Sequence, residues 1–147
     1  MSHGNPKVKG DDVRRLLRFL TERNLNLGDK DIERIIQQEN VKFFAVNKAG
    51  SLIGFAILVM HEDNFLSMSA RMGKIGDVVV DGKYQGKGFG KILMKEVIKF
   101  AKDAGLKYLE LNSNPKRIAA NKLYVKLGFK LVGQLPGGSN YYRLYLN

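Results

Sequence analysis

Cysteine and tryptophan are absent from this sequence, and histidine is rare. Without cysteine the chain has no disulfide, no thiolate zinc site and no cysteine nucleophile. The two histidines are His3, in the N-terminal segment, and His61, which disfavours a histidine metal cluster or a serine–histidine relay. The sequence therefore predicts no metal. It says little about compartment, and we take the cytoplasm as the default expectation.

Long apolar runs are missing as well. The longest, LIGFAILVM at 52–60, is shorter than the roughly 18 residues of a membrane span and fits a buried strand. The N-terminus, MSHGNPKVKG, lacks the apolar centre of a secretory signal. We expect no membrane partner and one domain over 1–147, with residues 1–6 a flexible tail or tag remnant.

Positive charge is in excess, with 25 Lys and Arg against 14 Asp and Glu and a net charge of +11. Such a surface attracts anions. The partner could be nucleic acid, an acidic protein face or a polyphosphate cofactor, and charge alone does not distinguish them. Lysines also recur at spacings of three and four over 87–102, on one face of a predicted helix. A solvated helix face explains them most simply, and an anion-binding ridge is the alternative.

Hydrophobic periodicity predicts a mixed α/β protein. Apolar spacing of three and four predicts helices over about 11–24, 28–40, 88–104 and 115–128. Gly105 and Gly128 are the expected C-terminal stops of the last two helices, and Pro115 is expected near the first turn of the fourth. Apolar runs predict strands over about 41–47, 51–63, 74–80, 106–112, 129–135 and 141–147. The first two are predicted to form a hairpin with its turn at Lys48–Gly50. Residues 64–71 are predicted to form a loop. This order gives a mixed sheet with a central strand–helix–strand unit.

Three glycines at every second position follow the third strand. Gly86, Gly88 and Gly90 lie where this strand hands over to a helix. Glycine permits backbone conformations closed to other residues and close approach of a ligand. The first amides of a helix have no partner within it, so together they can hold an anion such as a diphosphate. The alternative is a tight turn that binds nothing.

The pattern Q-x-x-G-x-G, formed by Gln85, Gly88 and Gly90, resembles the acetyl-CoA-binding signature of the Gcn5-related N-acetyltransferase (GNAT) superfamily. SNPKRIAANKLYVKLGF at 113–129 resembles a later helix of the same superfamily. The resemblance covers nearly the whole chain. It implies the acyl-CoA N-acyltransferase fold, a splayed mixed sheet of about six to seven strands flanked by about four helices.

The resemblance also implies a cofactor site. The backbone of Val78, Val79 and Val80 would run beside the pantetheine arm of acetyl-CoA, and an amide near Val80 would polarise the thioester carbonyl. Gln85 belongs to the signature, and the following turn would bind the diphosphate through Gly86, Lys87, Gly88, Phe89, Gly90 and Lys91. Asn121 would contact the cofactor, although an ordinary polar residue on a helix surface is the alternative.

For catalysis, the resemblance implies that Tyr124 protonates the leaving thiolate. The alternative is a core tyrosine with its hydroxyl satisfied locally. Asp77 is the one carboxylate inside the third strand, and it would act as a base, through burial or a water, or orient the amine. Many relatives carry glutamate just before this aspartate, where this chain has Gly76. Glu110 is a weaker candidate for the base.

The acceptor would be a primary amine, expected to be a small molecule that attacks the thioester directly in a ternary complex. Asn112 and Asn114, near the end of the fourth strand, are candidate substrate-binding residues, and Glu110 and Asn112 should share a face of it. IGDVVVDGKYQGKGFGK also resembles glucosamine-6-phosphate N-acetyltransferases, mostly in the cofactor-binding part. Two alternatives stay open: acetylation of a macromolecule (a protein N-terminus, a lysine or an aminoacyl-tRNA), and a non-catalytic acyl-CoA sensor. The sequence shows no nucleic-acid recognition motif, and a homodimer is left open.

Overall fold

The computed structural model describes residues 5–17, 28–65 and 68–146; for residues 17, 63–65, 68–70 and 77 it describes the backbone only. Within these ranges there are four helices: α1 Gly10–Leu17, α2 Asp29–Ile36, α3 Phe89–Asp103 and α4 Ile118–Lys126. The predicted continuation of the first helix to residue 24 lies outside the described residues. None of the described helices is long and apolar enough to span a bilayer.

Both α3 and α4 end at the glycine that the sequence predicted. Gly105 has a φ of +77°, and the amide of Leu106 donates back to the carbonyl of Ala101 at 3.0 Å. Gly128, with a φ of +103°, ends α4 in the same way. These are Schellman caps, in which a left-handed residue lets the chain satisfy the last helical carbonyls.

Six strands are present in the described residues: β1 Val41–Lys48, β2 Ser51–Phe65, β3 Met68–Val80, β4 Tyr108–Ser113, β5 Lys130–Gln134 and β6 Asn140–Tyr145. They form one sheet in the order β1-β2-β3-β4-β6-β5. The pair β3–β4 is parallel, and the pairs β1–β2, β4–β6 and β5–β6 are antiparallel. The predicted fold class, a mixed sheet with four helices, is confirmed.

The chain divides into two compact units. The first contains Met1–Val59 and Asp77–Val97, and the second contains Met60–Gly76 and Ile98–Asn147. The single-domain organisation stays a prediction.

In the first unit, α1 and α2 pack with the β1–β2 hairpin. The hairpin turns at Ala49 and Gly50, which have positive φ angles of 51° and 78°, as its sequence predicted. Phe43 and Phe55 stack with their ring centroids 5.2 Å apart. Buried apolar side chains from both helices and three strands form the core: Val13, Leu16, Ile32, Ile36, Phe43, Leu52, Phe55 and Val79. Burying each contributes roughly 1.5–3 kcal/mol for a side chain of this size.

In the second unit, β4 lies between the first part of β3 and β6. Its ladder with β3 runs from Met72–Tyr108 to Ile75–Leu111 and ends there. Leu109 and Leu111 are buried, whereas Glu110 is half-buried and Asn112 exposed. The prediction that the two polar residues share one face of this strand is confirmed.

Two local predictions were wrong. A loop was predicted over 64–71, but residues 64–65 belong to β2 and residues 68–71 belong to β3. Residues 66–67 lie outside the described residues. Because β2 and β3 are neighbours in the sheet, hydrogen bonds between them can extend the strands beyond the apolar pattern of the sequence. Pro115 was expected near the first turn of the last helix, but α4 begins at Ile118 and Pro115 lies in the turn before it.

Candidate active site

The turn between β3 and α3 is built on two left-handed glycines. After a short 3-10 helix at Gly82–Tyr84, Gly86 has a φ of +76° and Gly88 a φ of +89°. A Cβ added at either position would meet no heavy atom within 4 Å. Backbone conformation, and not crowding, therefore demands glycine here, and the space beside the turn is open.

The first amides of α3 lie beside this turn. The amide of Ile92 donates to the carbonyl of Gly88 at 3.1 Å, so the amides of Phe89, Gly90 and Lys91 precede the first i to i−4 bond of the helix. The positive end of the helix dipole is at the same place. Lys91 is exposed, as is Lys87 in the turn. This arrangement has the features of an anion-binding loop.

Asp81 anchors the start of the turn. Its amide donates to the carbonyl of Ile53 at 2.7 Å, and its carboxylate accepts from the amide of Lys83 at 3.0 Å. The other carboxylate oxygen pairs with Arg15 of α1 at 3.2 Å, and Arg15 also donates to the carbonyl of Leu52. Sequence analysis singled out neither Asp81 nor Arg15 for this role, because they are 66 residues apart and no local pattern joins them.

Gln85 closes the turn against the strand. Its side-chain amide donates to the carbonyl of Val80 at 3.0 Å, which gives this residue of the signature a structural role. Val79 is buried, and Val78 and Val80 are half-buried. Asp77 lies in β3, and only its backbone is described. All these residues belong to the first unit.

Asn121, in the second unit, makes four hydrogen bonds within the protein. Its amide nitrogen donates to the carbonyls of Asn114 at 2.9 Å and Arg117 at 2.7 Å. Its oxygen accepts from Tyr142 at 2.7 Å and Asn140 at 3.3 Å. A carboxamide has two donors and two acceptor positions, so these bonds use its full capacity. The side chain holds the loop before α4 against β6, and its predicted contact with the cofactor stays a prediction.

Tyr124 is buried in an aromatic group. Only 4% of the residue is exposed, and its ring lies edge-on to Phe129 and Tyr142 with centroids 6.2 Å and 5.9 Å away. This packing fixes the ring on α4 and suits either a core tyrosine or a proton donor held in one orientation. Its catalytic role stays a prediction.

Glu110 is engaged with two partners on β6. It accepts a hydrogen bond from the hydroxyl of Tyr141 and pairs with Arg143. Burial, and next its bond to Glu110, raise the pKa of Tyr141. The pKa of Arg143 is also raised, chiefly by hydrogen bonds to Tyr145 and Tyr141. A carboxylate paired in this way is a poor candidate for a free base.

A cavity of about 360 Å³ lies in the second unit between the loop before α4 and the β5–β6 turn. It is lined by Asn114, Pro115, Lys116, Gly137, Gly138 and Ser139. Asn114, a predicted substrate-binding residue, therefore lines a cavity, and Asn112 is exposed on β4 opposite Tyr141. Lys116 has no ion-pair partner among the described residues.

Nowhere in the described part of the chain do three or more side chains form a cluster suited to a metal ion.

Comparison with known proteins agrees with this architecture. The sequence profile of the acetyltransferase (GNAT) family matches residues 12–129. N-acetylaspartate synthetase of Xenopus tropicalis is 29% identical over 124 residues, which cover 80% of this chain and 45% of that protein. Glucosamine 6-phosphate N-acetyltransferase of Trypanosoma brucei brucei is 33% identical over 89 residues, which cover 60% of this chain and 58% of that protein. The chain thus spans about half the length of these relatives.

Among solved structures, that of Arabidopsis thaliana NAA60 in complex with a bisubstrate analogue superimposes with a TM-score of 0.78. The superposition covers 99% of this chain and 98% of the other at 15% identity. Similarity at this level of identity establishes the shared fold.

Proposed function

This chain belongs to the acetyltransferase (GNAT) family, and we propose that it transfers an acetyl group from acetyl-CoA to a primary amine. Acetyl-CoA supplies the acetyl group as a thioester. No cysteine is available to form a covalent acyl-enzyme, which supports direct attack by the amine in a ternary complex. The observation that carries the proposal is the glycine turn before α3.

The turn suits a diphosphate by its conformation and its chemistry. Gly86 and Gly88 have left-handed backbones, and a Cβ at either would project into open space. The amides that begin α3 can donate hydrogen bonds to an anion, and the positive end of the helix dipole favours negative charge there. Lys87 and Lys91 add mobile positive charge at an exposed surface. We therefore propose that residues 86–91 hold the diphosphate, with Gln85 fixing the turn.

The end of β3 provides the second part of the cofactor site. The β3–β4 ladder ends at Ile75–Leu111, before Val78, Val79 and Val80. This supports the proposal that the backbone there pairs with the amides of the pantetheine arm as a strand would. An amide near Val80 would donate to the thioester oxygen, on which charge develops during attack.

Tyr124 is the proposed proton donor to the leaving thiolate, and Asp77 the proposed base or orienting group for the amine. The pairing of Glu110 with Arg143 and Tyr141 supports Asp77 over Glu110. This chain has Gly76 at the position where many relatives carry a glutamate, so that base is missing. Asp77 would therefore act through a water or by holding the amine in place.

The proposed acceptor is a small amine that carries an anionic group. The cavity of about 360 Å³ is within the range of small-molecule sites, roughly 300–1,000 Å³. Asn114 offers hydrogen bonds there, and Lys116 offers a positive charge with no ion-pair partner among the described residues. The names of the two relatives above imply aspartate and glucosamine 6-phosphate as acceptors, which are both amines with an anionic group.

A macromolecular acceptor is the second candidate. The net charge of +11 favours an acidic protein or RNA over a neutral partner. Lysines on the exposed side of α3 would extend the positive surface: Lys91, Lys95, Lys99 and Lys102.

Two measurements test the proposal in order. Coenzyme A at 100 times its dissociation constant should raise the free energy of unfolding by about 2.7 kcal/mol, seen as a thermal shift. A panel of amines with acetyl-CoA should then give free thiol with at least one acceptor, and anionic amines should rank first. Absence of any stabilisation by coenzyme A or acetyl-CoA would refute the proposal.

Replacement of Tyr124 by phenylalanine separates an enzyme from a sensor. We expect Tyr124→Phe to lower kcat by about 10²–10⁴-fold, the usual contribution of a general acid, because the thiolate loses its proton donor. Coenzyme A binding should change little, since the ring and its packing remain. A thermal melt of Tyr124→Phe close to that of the unaltered protein is the control for disturbed packing. Unchanged turnover in Tyr124→Phe would contradict the assigned role.

A further inference from the structure

Two lysines converge on an aromatic pair beside the glycine turn. Tyr84 and Phe89 lie edge to face, with ring centroids 5.9 Å apart. The Nζ atom of Lys48 lies 5.7 Å from the Tyr84 centroid and 5.8 Å from that of Phe89. The Nζ atom of Lys87 lies 5.8 Å from the Tyr84 centroid. We name Lys48, Tyr84, Lys87 and Phe89 the basic–aromatic cluster.

The cluster brings together segments that are distant in sequence. Lys48 ends β1 at the hairpin turn, whereas the other three residues flank or begin the glycine turn. Both lysines are exposed and both rings are half-buried, so the rings form a fixed base and the ammonium groups can adjust to a ligand.

The cluster has an excess of positive charge. Neither Lys48 nor Lys87 has an ion-pair partner in the described parts of the chain, and two like charges near one ring repel each other. A cation–π contact is worth only about 0.5–1 kcal/mol at an exposed site. The two ammonium groups lie 5.7 Å and 5.8 Å from the Tyr84 centroid, so an anion beside the cluster would reduce the repulsion and gain a charge-assisted contact from each lysine that reaches it.

We propose that the basic–aromatic cluster binds the ribose 3′-phosphate of coenzyme A, with Lys48 as the residue dedicated to it. This inference rests on the proposed function, in which the amides of residues 86–91 take the diphosphate. Coenzyme A carries one further phosphate, a monoester with a charge near −2 at neutral pH, on the ribose that the diphosphate joins. Tyr84 and Phe89 bracket the glycine turn, so the cluster adjoins the diphosphate-binding amides.

The test compares coenzyme A with 3′-dephospho-coenzyme A, which differs only in this phosphate. Calorimetry should show that the unaltered protein binds coenzyme A about tenfold or more tightly. In Lys48→Met the affinity for coenzyme A should fall about tenfold, the loss of one charge-assisted contact, while that for the dephospho ligand changes less than about twofold. Lys48→Arg should restore the preference.

Lys95→Met is the matched control, because it removes an exposed lysine of α3 and changes the net charge equally. It should weaken both ligands slightly and keep the preference for the 3′-phosphate. An equal loss of both ligands in Lys48→Met would mean a structural role and would overturn the inference. Equal binding of both ligands by the unaltered protein would overturn it too, while leaving the proposed function standing. Binding of neither ligand would refute both.

Discussion

Gly54 of β2 lies close to the backbone of β3. A Cβ there would lie 3.0 Å from the carbonyl oxygen of Val79, and 3.5 Å from a methyl group of Leu93. The obstacle is backbone of a strand that also carries Val78 and Val80, so it cannot move aside as a side-chain end could. The absence of a side chain at Gly54 thus permits this close approach to the proposed pantetheine-binding strand.

We expect Gly54→Ala to lower the free energy of unfolding by about 1–3 kcal/mol, the usual cost of overpacking. Urea denaturation with a fluorescent dye or circular dichroism would measure it. Coenzyme A affinity should fall with it if β3 is displaced.

Gly76→Ala provides the control for the loss of a strand glycine. A Cβ at Gly76 would meet nothing within 4 Å, and its φ is not in the left-handed region. Its stability should therefore change by less than about 1 kcal/mol, with a gain expected from reduced unfolded-state entropy. If Gly54→Ala and Gly76→Ala had the same free energy of unfolding, the close approach at Gly54 would not contribute to stability and the prediction would be wrong.

At the scale of elements, α3 has a left-handed glycine at each end. Gly88 precedes its first turn with a φ of +89°, and Gly105 follows its last turn with a φ of +77°. Neither has a neighbour that a Cβ would touch. The two positions therefore impose similar backbone strain on an alanine, and only Gly88 lies in the turn proposed to bind the diphosphate.

We expect Gly88→Ala and Gly105→Ala each to destabilise the protein by about 1–2 kcal/mol, because an L-residue resists this backbone conformation. Only Gly88→Ala should also weaken coenzyme A binding, by about tenfold or more, since its methyl group enters the space proposed for the diphosphate. Thermal melts and calorimetry measure the two effects. Equal losses of affinity in both variants would indicate that the effect arises from helix stability.

At the scale of the whole molecule, the excess of 25 basic over 14 acidic residues bears on the choice between the two acceptor classes. Binding of a polyanion releases condensed counterions, so its affinity falls steeply as salt rises. A small acceptor with one anionic group makes few such contacts. The same positive surface can thus serve either class, and the response to salt distinguishes them.

We expect the dissociation constant of the acceptor to rise less than about fivefold between 50 and 200 mM salt, as a small molecule should. A polyanion that contacts 6–10 phosphates would lose about 10³–10⁵-fold in affinity over this range. Isothermal calorimetry measures the constants, and sucrose at equal osmolality controls for effects of solute. A steep dependence would transfer the proposal to a macromolecular acceptor.

Features that depend on a few neighbouring residues could be predicted from the sequence, whereas features that depend on distant segments could not. The hairpin turn at Ala49–Gly50, the glycine stops of α3 and α4 and the glycine turn before α3 are all encoded within a few residues, and all were predictable. The extension of β2 and β3 through 64–65 and 68–71 was not, since pairing between these neighbouring strands overrides weak local preferences.

The sequence by itself determined most of the elements, the resemblance to the family and the glycine turn before α3, because left-handed glycines and helix-start amides are properties of neighbouring residues. The tertiary structure alone decided the contacts between distant segments. Beside the turn these are the pair of Arg15 with Asp81 and the approach of Lys48 to Tyr84; in the second unit they are the bonds of Asn121 to Tyr142 and Asn140. These partners come from separate segments, and their contacts exist only after packing brings the segments together. The site that the sequence suggests is thus completed by residues that only the fold can identify.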